Sequence, residues 1–225
     1  MRRLHLALFA EGPSDYAFLQ PLLGRLAQDL CNRPDSEEID VVSPLALTNP
    51  AELTRGRRVK RVCAAAQAAA GQIDVLFIHA DGDGNAARAE AKSIAPAVAA
   101  IAGELPRVRS APVVPVREME AWCLADGEAL CEALHTRLAA KVLELPEAAP
   151  LIEKVQDPKA RLAKAVIAAL GERRAKKVDT SALLRDLGEL VSLEALRDVP
   201  SFRRCEIGLD RALVELGFIS EERTA

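Results

Sequence analysis

The sequence predicts an α/β fold in which helices flank a mostly parallel sheet and an α-helical extension follows it. Short apolar segments of strand length alternate with longer segments of helical spacing, a pattern typical of parallel strands joined by right-handed crossovers. Only 3% of the residues are aromatic, which argues against a sandwich or a barrel. With 225 residues, the chain can form one large domain or two small ones with an ordinary core.

Four segments have the composition of strands. The first, residues 4–9, is apolar at most positions and stops abruptly at Glu11-Gly12-Pro13. The clearest is residues 73–78, which are mostly β-branched or aromatic and end at the sequence HADGDG. A brief second strand is predicted at residues 39–42 and a fourth strand at residues 111–116.

Helical spacing separates these strands. Apolar residues recur every three or four positions between Phe18 and Leu30, and Ser14 or Asp15 is the predicted N-cap of this first helix. Two further helices are predicted at residues 55–70 and 86–103, and a proline-containing loop at residues 44–54. A last helical segment, residues 118–126, follows the fourth strand.

The sequence changes character after about residue 127, where it predicts helices separated by prolines. Helical patterns recur at residues 130–138, 162–170 and 183–190. Only residues 141–145 have some strand character. We therefore expect an α/β domain at residues 1–126 and an α-helical extension packed on it at residues 127–225.

Charge and cysteine usage exclude several classes of protein. A net charge of −3 is not that of a strongly basic protein that wraps nucleic acid. The five cysteines are dispersed without a CxxC pair, so we expect reduced, buried thiols in the cytoplasm rather than a zinc site. No run of 18 apolar residues is present, so no membrane association is expected.

Acidic residues follow three of the predicted strands. Glu11 follows the first strand, Asp81 and Asp83 follow the third, and Glu118 and Glu120 follow the fourth. Because the carboxyl ends of parallel strands meet at one edge, we expect these carboxylates to converge in one crevice. Their repulsion there favours a bound Mg²⁺ or Mn²⁺, and such a site suits phosphoryl chemistry.

Each of these motifs has an ordinary structural explanation when it is taken alone. The sequence DGDG often forms a surface turn, and Glu11 before Gly-Pro is also a plausible turn residue. Their order and their placement after strands favour the metal site. If the last helix starts near Arg117, Glu118 and Glu120 diverge by about 200°, so only one of them faces the crevice; Glu118, nearer the strand end, is the slightly better candidate.

The motifs also resemble a known family. EGPSD after the first strand and VLFIHADGDG at the third resemble the TOPRIM domain of topoisomerases, primases and OLD-type nucleases, over roughly residues 3–126. PVREMEAWCLAD, with residues 157–159 and 200–202, resembles more closely a group of small stand-alone TOPRIM-like bacterial proteins catalogued as domain of unknown function 4276. These resemblances imply a TOPRIM-like, Rossmann-like sheet, and for the small group an ATPase partner and a role in phage defence or DNA processing.

The resemblance assigns roles to single residues. Glu11 matches the family's glutamate, a general acid/base or a metal-site member, while Asp81 and Asp83 match the metal-binding DxD motif. Asp15 matches the second acidic residue of the nuclease pattern. The only tyrosine, Tyr16, does not lie in a topoisomerase motif, so strand passage is not expected.

Basic residues and one histidine complete the candidate site. Five residues of the RGRRVKR run are candidates to bind a phosphate backbone, although a solvated helix face explains them equally simply: Arg55, Arg57, Arg58, Lys60 and Arg61. Lys159 is a catalytic candidate that would neutralise charge in the transition state. His79, two residues before Asp81, is a candidate to hydrogen-bond a metal ligand; both residues also have simple structural explanations.

The function expected from the sequence is metal-dependent phosphodiester hydrolysis by a TOPRIM-type nuclease, with DNA as substrate and an ATPase as partner. Two alternatives stay open. The first is a non-catalytic subunit of an ATPase complex, and the second is a metal-dependent phosphatase or nucleotidyl-transfer enzyme that acts on a small nucleotide. The sequence leaves the oligomeric state open.

Overall fold

The centre of the protein is a four-stranded, all-parallel sheet with the strand order β2-β1-β3-β4. The computed structural model describes residues 1–33, 38–48, 57–146 and 148–220. The strands are β1 (Arg2–Phe9), β2 (Ile39–Ala46), β3 (Val75–His79) and β4 (Arg109–Val113). The predicted α/β class with a parallel, Rossmann-like sheet is therefore confirmed.

The strand order places a topological switch point between β1 and β3. The chain runs from β1 outward to β2, then crosses back to β3 and continues outward on the other side to β4. In open parallel sheets, ligands usually bind in the crevice outside the carboxyl ends of the strands at such a point. Glu11 follows β1 and Asp81 follows β3, so these two residues flank the crevice.

Helices connect and follow the strands. Those before β4 are α1 (Pro13–Cys31), α2 (Arg58–Ala68), α3 (Ala86–Ala89), a π-helical turn (Glu90–Ile94) and α4 (Ala95–Glu104). Those after β4 are α5 (Glu120–Cys123), α6 (Gly127–Ala133), a 3₁₀ turn (Ala140–Leu143), α7 (Ala149–Ile152), α8 (Pro158–Leu170), α9 (Glu172–Ala175), α10 (Thr180–Leu190), α11 (Leu193–Arg197) and α12 (Pro200–Glu215).

Alternation of side chains along the strands produces two hydrophobic cores. Leu6 and Leu8 of β1 point into one core with α1, α10 and α12, whereas Ala7 and Phe9 point into the other with α2 and α4. The helices after residue 127 thus complete the core on one face of the sheet, and Phe202 of α12 is fully buried there.

The loop predicted at residues 44–54 is wrong in its first part, because β2 continues through Pro44 to Ala46. An edge strand tolerates proline, and the pairing register of β1 with β2 shifts between His5 and Ala7, opposite this proline. Gln20 of α1 donates a hydrogen bond to the Pro44 carbonyl at 2.7 Å. Residues 49–54 of this predicted loop lie outside the described residues, as do Arg55 and Gly56 at the start of the helix predicted at residues 55–70.

Two further local predictions are also wrong. The N-cap of α1 is Gly12 rather than Ser14 or Asp15, and the Asp15 carboxylate instead accepts a hydrogen bond from the Gly12 amide at 2.8 Å. Residues 141–145 do not form a strand: residues 141–143 belong to the 3₁₀ turn Ala140–Leu143, of which only Leu143 is buried.

None of the described helices combines the length and the apolar character that crossing a bilayer requires.

A glycine contact between α1 and α10 provides a test of this packing. A Cβ atom on Gly188 would lie 2.4 Å from the Phe18 carbonyl oxygen and 2.6 Å from Pro21 Cγ. We expect Gly188→Ala to lower the free energy of unfolding by about 1–3 kcal/mol, because two helices must separate. Gly103→Ala is the control, since nothing lies within 4 Å of a Cβ there. It should raise this free energy by up to about 1 kcal/mol.

Urea unfolding followed by circular dichroism measures both effects. The packing described above would be contradicted if the two substitutions changed the midpoint in the same direction.

Candidate functional site

The ends of β1 and β3 are joined by an arginine. Glu11 lies just beyond β1, and its carboxylate forms an ion pair with Arg58 of α2. The same guanidinium donates a hydrogen bond to the backbone carbonyl of His79, at the end of β3, and lies 5.8 Å from the centre of the Phe9 ring. Only 13% of the Arg58 side chain is exposed, whereas 54% of the Glu11 side chain is. Glu11 is therefore accessible to a ligand while Arg58 is held in place.

His79 is fully buried between two carboxylates. Its Nδ1 lies 3.0 Å from the Val113 carbonyl oxygen, and because a carbonyl only accepts, Nδ1 is the donor. Its Nε2 lies 3.4 Å from Asp81 Oδ1 and 3.8 Å from Asp15 Oδ2. Burial lowers the pKa of His79, but contact with Asp81 and the charges of both carboxylates outweigh this effect and raise the pKa above its ordinary value.

The buried cluster holds atoms that no hydrogen bond satisfies. The 3.4 Å contact between His79 Nε2 and Asp81 Oδ1 is long and poorly aligned, so both of these buried atoms are without a hydrogen-bond partner. An unsatisfied buried carboxylate oxygen is costly, and a cation or a proton would relieve that cost.

The DGDG turn is pinned against the segment that follows β4. The amides of Gly82 and Gly84 donate to the carbonyls of Arg117 and Val116 at 2.9 and 2.8 Å. A Cβ on Gly82 would lie 2.4 Å from the Val116 oxygen, so only glycine permits this approach. Asp83 between them adopts a positive φ of 47°. These contacts carry Asp83 away from the end of β3 and toward the residues after β4.

Asp83 lines a cleft together with residues from two later segments. The cleft has a volume of about 410 Å³ and is lined by Asp83, Arg117, Glu118, Gln156, Asp157, Pro158 and Lys159. Helix α8 begins here, with Asp157 as its N-cap. The cleft therefore combines carboxylates from two strand ends with a lysine of the helical half.

Lys159 connects this cleft to a buried glutamate. Its Nζ lies 3.5 Å from Glu120 Oε1, and the Glu120 side chain is only 6% exposed. Burial raises the pKa of Glu120, and the Lys159 ammonium opposes this effect only in part. The pKa of Lys159 is raised chiefly by Glu120, and also by Glu118 and Asp81. Lys159 is thus the shared counter-charge of carboxylates that follow β3 and β4.

The predicted carboxylates lie in two groups rather than in one cage. Glu11 and Asp81 surround Arg58 and His79, whereas Asp83, Glu118 and Glu120 lie around Lys159. Within the described ranges, no three His, Cys, Asp or Glu side chains form a group that could hold a metal ion.

The helix expected to start near Arg117 begins instead at Glu120, because hydrogen bonds to the DGDG turn hold the preceding residues out of the helix. Glu118 therefore precedes the helix, so the divergence of about 200° expected for two residues of one helix does not apply to Glu118 and Glu120. The structure places both glutamates within electrostatic reach of Lys159.

Among the described residues of the basic run, Arg58 lies at the candidate site. Arg58 is directed at the strand ends, while Arg57 and Lys60 are exposed and Arg61 is partly exposed. Arg117, which was not predicted as a site residue, donates a 2.7 Å hydrogen bond to Gln156 at the Asp83 cleft. No sequence motif distinguished it from other surface arginines.

Comparison with known proteins gives one match. A family model described as "Domain of unknown function (DUF4276)" matches residues 10–209. No curated protein and no solved structure matches the chain. The match covers the strand ends, the DGDG turn and the Lys159 helix together.

The pairing of Lys159 with Glu120 provides a test of this geometry. Lys159→Met should raise the pKa of Glu120 further, because the ammonium that lowers it is lost while burial remains. Carbon-13 NMR titration of the Glu120 carboxyl measures this shift. Lys164→Met, an exposed position on the same helix, should leave that pKa unchanged. Equal pKa values of Glu120 in both variants would contradict the pairing.

Proposed function

The chain belongs to the DUF4276 family, and we propose that this member hydrolyses phosphodiester bonds of nucleic acid, with DNA as the expected substrate, in a metal-dependent reaction of the TOPRIM nuclease type. The observation that supports this proposal is the convergence of carboxylates from three strand ends at the carboxyl edge of a parallel sheet. Lys159 and Arg58 provide positive charge beside them. Phosphoryl chemistry requires this combination of metal-binding oxygens and phosphate-binding cations.

The residues fit a hard divalent cation such as Mg²⁺ or Mn²⁺ in their chemistry. Carboxylate oxygens are the ligands that such ions prefer, and Asp81 Oδ1 is buried without a hydrogen-bond partner. Mg²⁺ commonly uses one or two carboxylates and completes its shell with water and substrate phosphates, so a preformed cage of three side chains is not required. Asp81 would hold the ion, with Glu11 on the same side of the site, while Asp83 and Glu118, which lie around Lys159, would act from the substrate side.

A bound ion polarises the phosphate and lowers the pKa of a water molecule. The protein's own residues supply the rest. His79, fixed through Nδ1 to Val113, packs against the Asp81 carboxylate and limits the positions that it can take. Lys159 Nζ opposes the negative charge that develops on the phosphate. Glu11, exposed at the edge, accepts or returns a proton at its carboxylate oxygen.

Arg58 has a different task in this proposal. A guanidinium binds two phosphate oxygens in a fork geometry, and Arg58 is already held between the ends of β1 and β3. When a phosphate binds there, Arg58 exchanges one anionic partner for another, and the Glu11 carboxylate becomes available. Binding of the phosphate to Arg58 would therefore free the Glu11 carboxylate, which could then contribute to holding the ion.

A second candidate is a non-catalytic subunit that docks onto an ATPase. It is favoured by the engagement of Glu11 with Arg58 and by the separation of the carboxylates into two groups. An ATPase partner is proposed for both functions, on the basis of the family resemblance. We also propose a cytoplasmic location, because all five cysteines are buried and free.

Asp83→Asn tests the proposed hydrolysis. Asparagine tolerates the positive φ of this position, so the fold should be retained while the charge is lost. Nicking of supercoiled plasmid in Mg²⁺ or Mn²⁺ should fall by at least about 100-fold, the upper end of what even an outer partner of a metal site contributes. Chelation of the metal with EDTA should abolish nicking by the unmodified protein.

Asp186→Asn is the matched control, because this aspartate is exposed on α10 and does not line the Asp83 cleft. Equal nicking by Asp83→Asn and Asp186→Asn would place the activity elsewhere. If neither the unmodified protein nor its mixture with the proposed ATPase partner cleaves nucleic acid, the non-catalytic function is the better supported of the two proposals.

Arg58→Gln tests the exchange between Glu11 and phosphate. The variant should bind Mn²⁺ more tightly, because Glu11 loses its cationic partner. It should nevertheless cleave DNA about tenfold more slowly, since a charged hydrogen bond to phosphate is lost. Calorimetric titration with Mn²⁺ and the nicking rate measure the two effects, with Lys60→Gln as the exposed control on the same helix. Parallel losses of affinity and rate would contradict the exchange.

A further inference from the structure

A second cavity adjoins the Asp83 cleft, and Lys159 lines both. Its volume is about 580 Å³, within the range of about 300–1,000 Å³ typical of small-molecule sites. Helices α8 and α10 and the segment between them form its walls. These walls are mainly aliphatic and include Leu162, Val166, Val178, Leu183 and Leu184.

Five of the residues that line this cavity are polar or charged: Glu120, Lys159, Glu172, Lys176 and Thr180. Glu120 lines it with a carboxylate that is almost completely buried, and the Thr180 hydroxyl belongs to the opposite helix. Lys159 is the only nearby cation that the described contacts give to Glu120, at 3.5 Å. A single-point contact leaves most of the acceptor capacity of the carboxylate unused, because an ionised carboxylate has about four acceptor positions.

We propose that this cavity binds one unpaired nucleobase of the substrate, next to the phosphate that lies in the Asp83 cleft. This inference rests on the proposed phosphodiesterase function and specifies its substrate class. Aliphatic walls accept the faces of a base, and the Glu120 carboxylate accepts hydrogen bonds from the amino group of guanine, adenine or cytosine. Lys159, shared by both cavities, lies where the phosphate and the base of one nucleotide would meet.

The chemistry of the cavity favours a base over a purely apolar occupant. An acyl chain would fill the aliphatic volume but would give the buried Glu120 carboxylate no donor beyond Lys159, so its remaining acceptor positions would lie against hydrocarbon, at a cost in free energy. A nucleobase supplies both a flat apolar surface and N–H donors. A base within a duplex is stacked and paired, so it enters such a cavity only if it leaves the helix. The protein therefore acts on single-stranded DNA, or on unpaired nucleotides at ends and flaps, in preference to intact duplex.

Binding of single nucleotides tests the cavity independently of cleavage. The probes are dGMP, dCMP and TMP, with 2-deoxyribose 5-phosphate as the compound without a base, each titrated by calorimetry in Ca²⁺. The nucleotides with an amino group should bind at least about tenfold more tightly than the sugar phosphate, because the base buries apolar surface in the cavity and donates a hydrogen bond to Glu120. TMP should bind more weakly than dGMP and dCMP, because thymine has no amino group.

Two alanines of α8 provide matched variants. Ala163 and Ala168 are both exposed on this helix, but only Ala163 lines the cavity. Ala163→Trp should fill the cavity and remove at least about tenfold of the affinity for dGMP while leaving that for the sugar phosphate unchanged. Ala168→Trp should change neither. Because both positions are exposed, neither variant needs to disturb the core, and thermal melting checks that both are folded.

The outcomes separate this inference from the proposed function. If the protein cleaves single-stranded and duplex DNA equally and Ala163→Trp has no effect, the base cavity is refuted while the nuclease function stands. If dGMP binds as predicted but no nucleic acid is cleaved, the cavity stands and the nuclease function fails. Equal affinity for dGMP and for deoxyribose 5-phosphate overturns the inference, as does retention of dGMP binding in Ala163→Trp.

Discussion

The arrangement of the candidate site depends on how the fold offsets the repulsion between several carboxylates at one edge of its sheet. Parallel strands direct the residues after them to the same edge, so Glu11 and Asp81 come near one another by topology alone. Two cationic side chains from different parts of the chain offset this repulsion, Arg58 of α2 and Lys159 of α8, and the His79 imidazole lies between Asp15 and Asp81. Arg58 and His79 are fixed by backbone contacts, Arg58 to the His79 carbonyl and His79 to the Val113 carbonyl. These two side chains are therefore part of the fold, whereas Lys159 is 66% exposed.

This charge balance explains why the helical half cannot be regarded as a separate unit. Lys159 comes from that half, yet its closest carboxylate partner follows β4. The position of α5 is itself fixed by the last helix, since Trp122 donates a hydrogen bond to Ser201 at 2.9 Å and packs edge-on against Phe202. Arg25 of α1 likewise donates to two carbonyls at the end of α10. The sheet and the helices after it share one core, and the candidate site lies where they meet.

The parts of the fold that depend on local patterns were predictable from the sequence, and those that depend on distant contacts were not. Apolar segments and the turn residues after them predicted the four strands and the acidic residues that follow three of them. The start of α5 was misplaced because Gly82 and Gly84 hold the segment before it, a contact between residues more than 30 positions apart. Pro44 was assigned to a loop because sequence alone does not reveal that β2 is an edge strand. Of the RGRRVKR run, only the structure distinguishes Arg58, since its role follows from where β1 and β3 end.

The two groups of carboxylates have different electrostatic surroundings, and this difference suggests a division of labour in the proposed reaction. Around His79, buried charges are close together and incompletely hydrogen-bonded, which suits an ion that replaces the missing contacts. Around Lys159, the cation is 66% exposed and stands between an open cleft and an apolar cavity, which suits a substrate that carries both a phosphate and a base. A nucleotide bound there would bring its phosphate toward Asp83, and Asp83 is joined through the rigid DGDG turn to Asp81. The turn thus links the ion-binding group to the substrate-binding group, and the close approach that only Gly82 allows sets the separation between them.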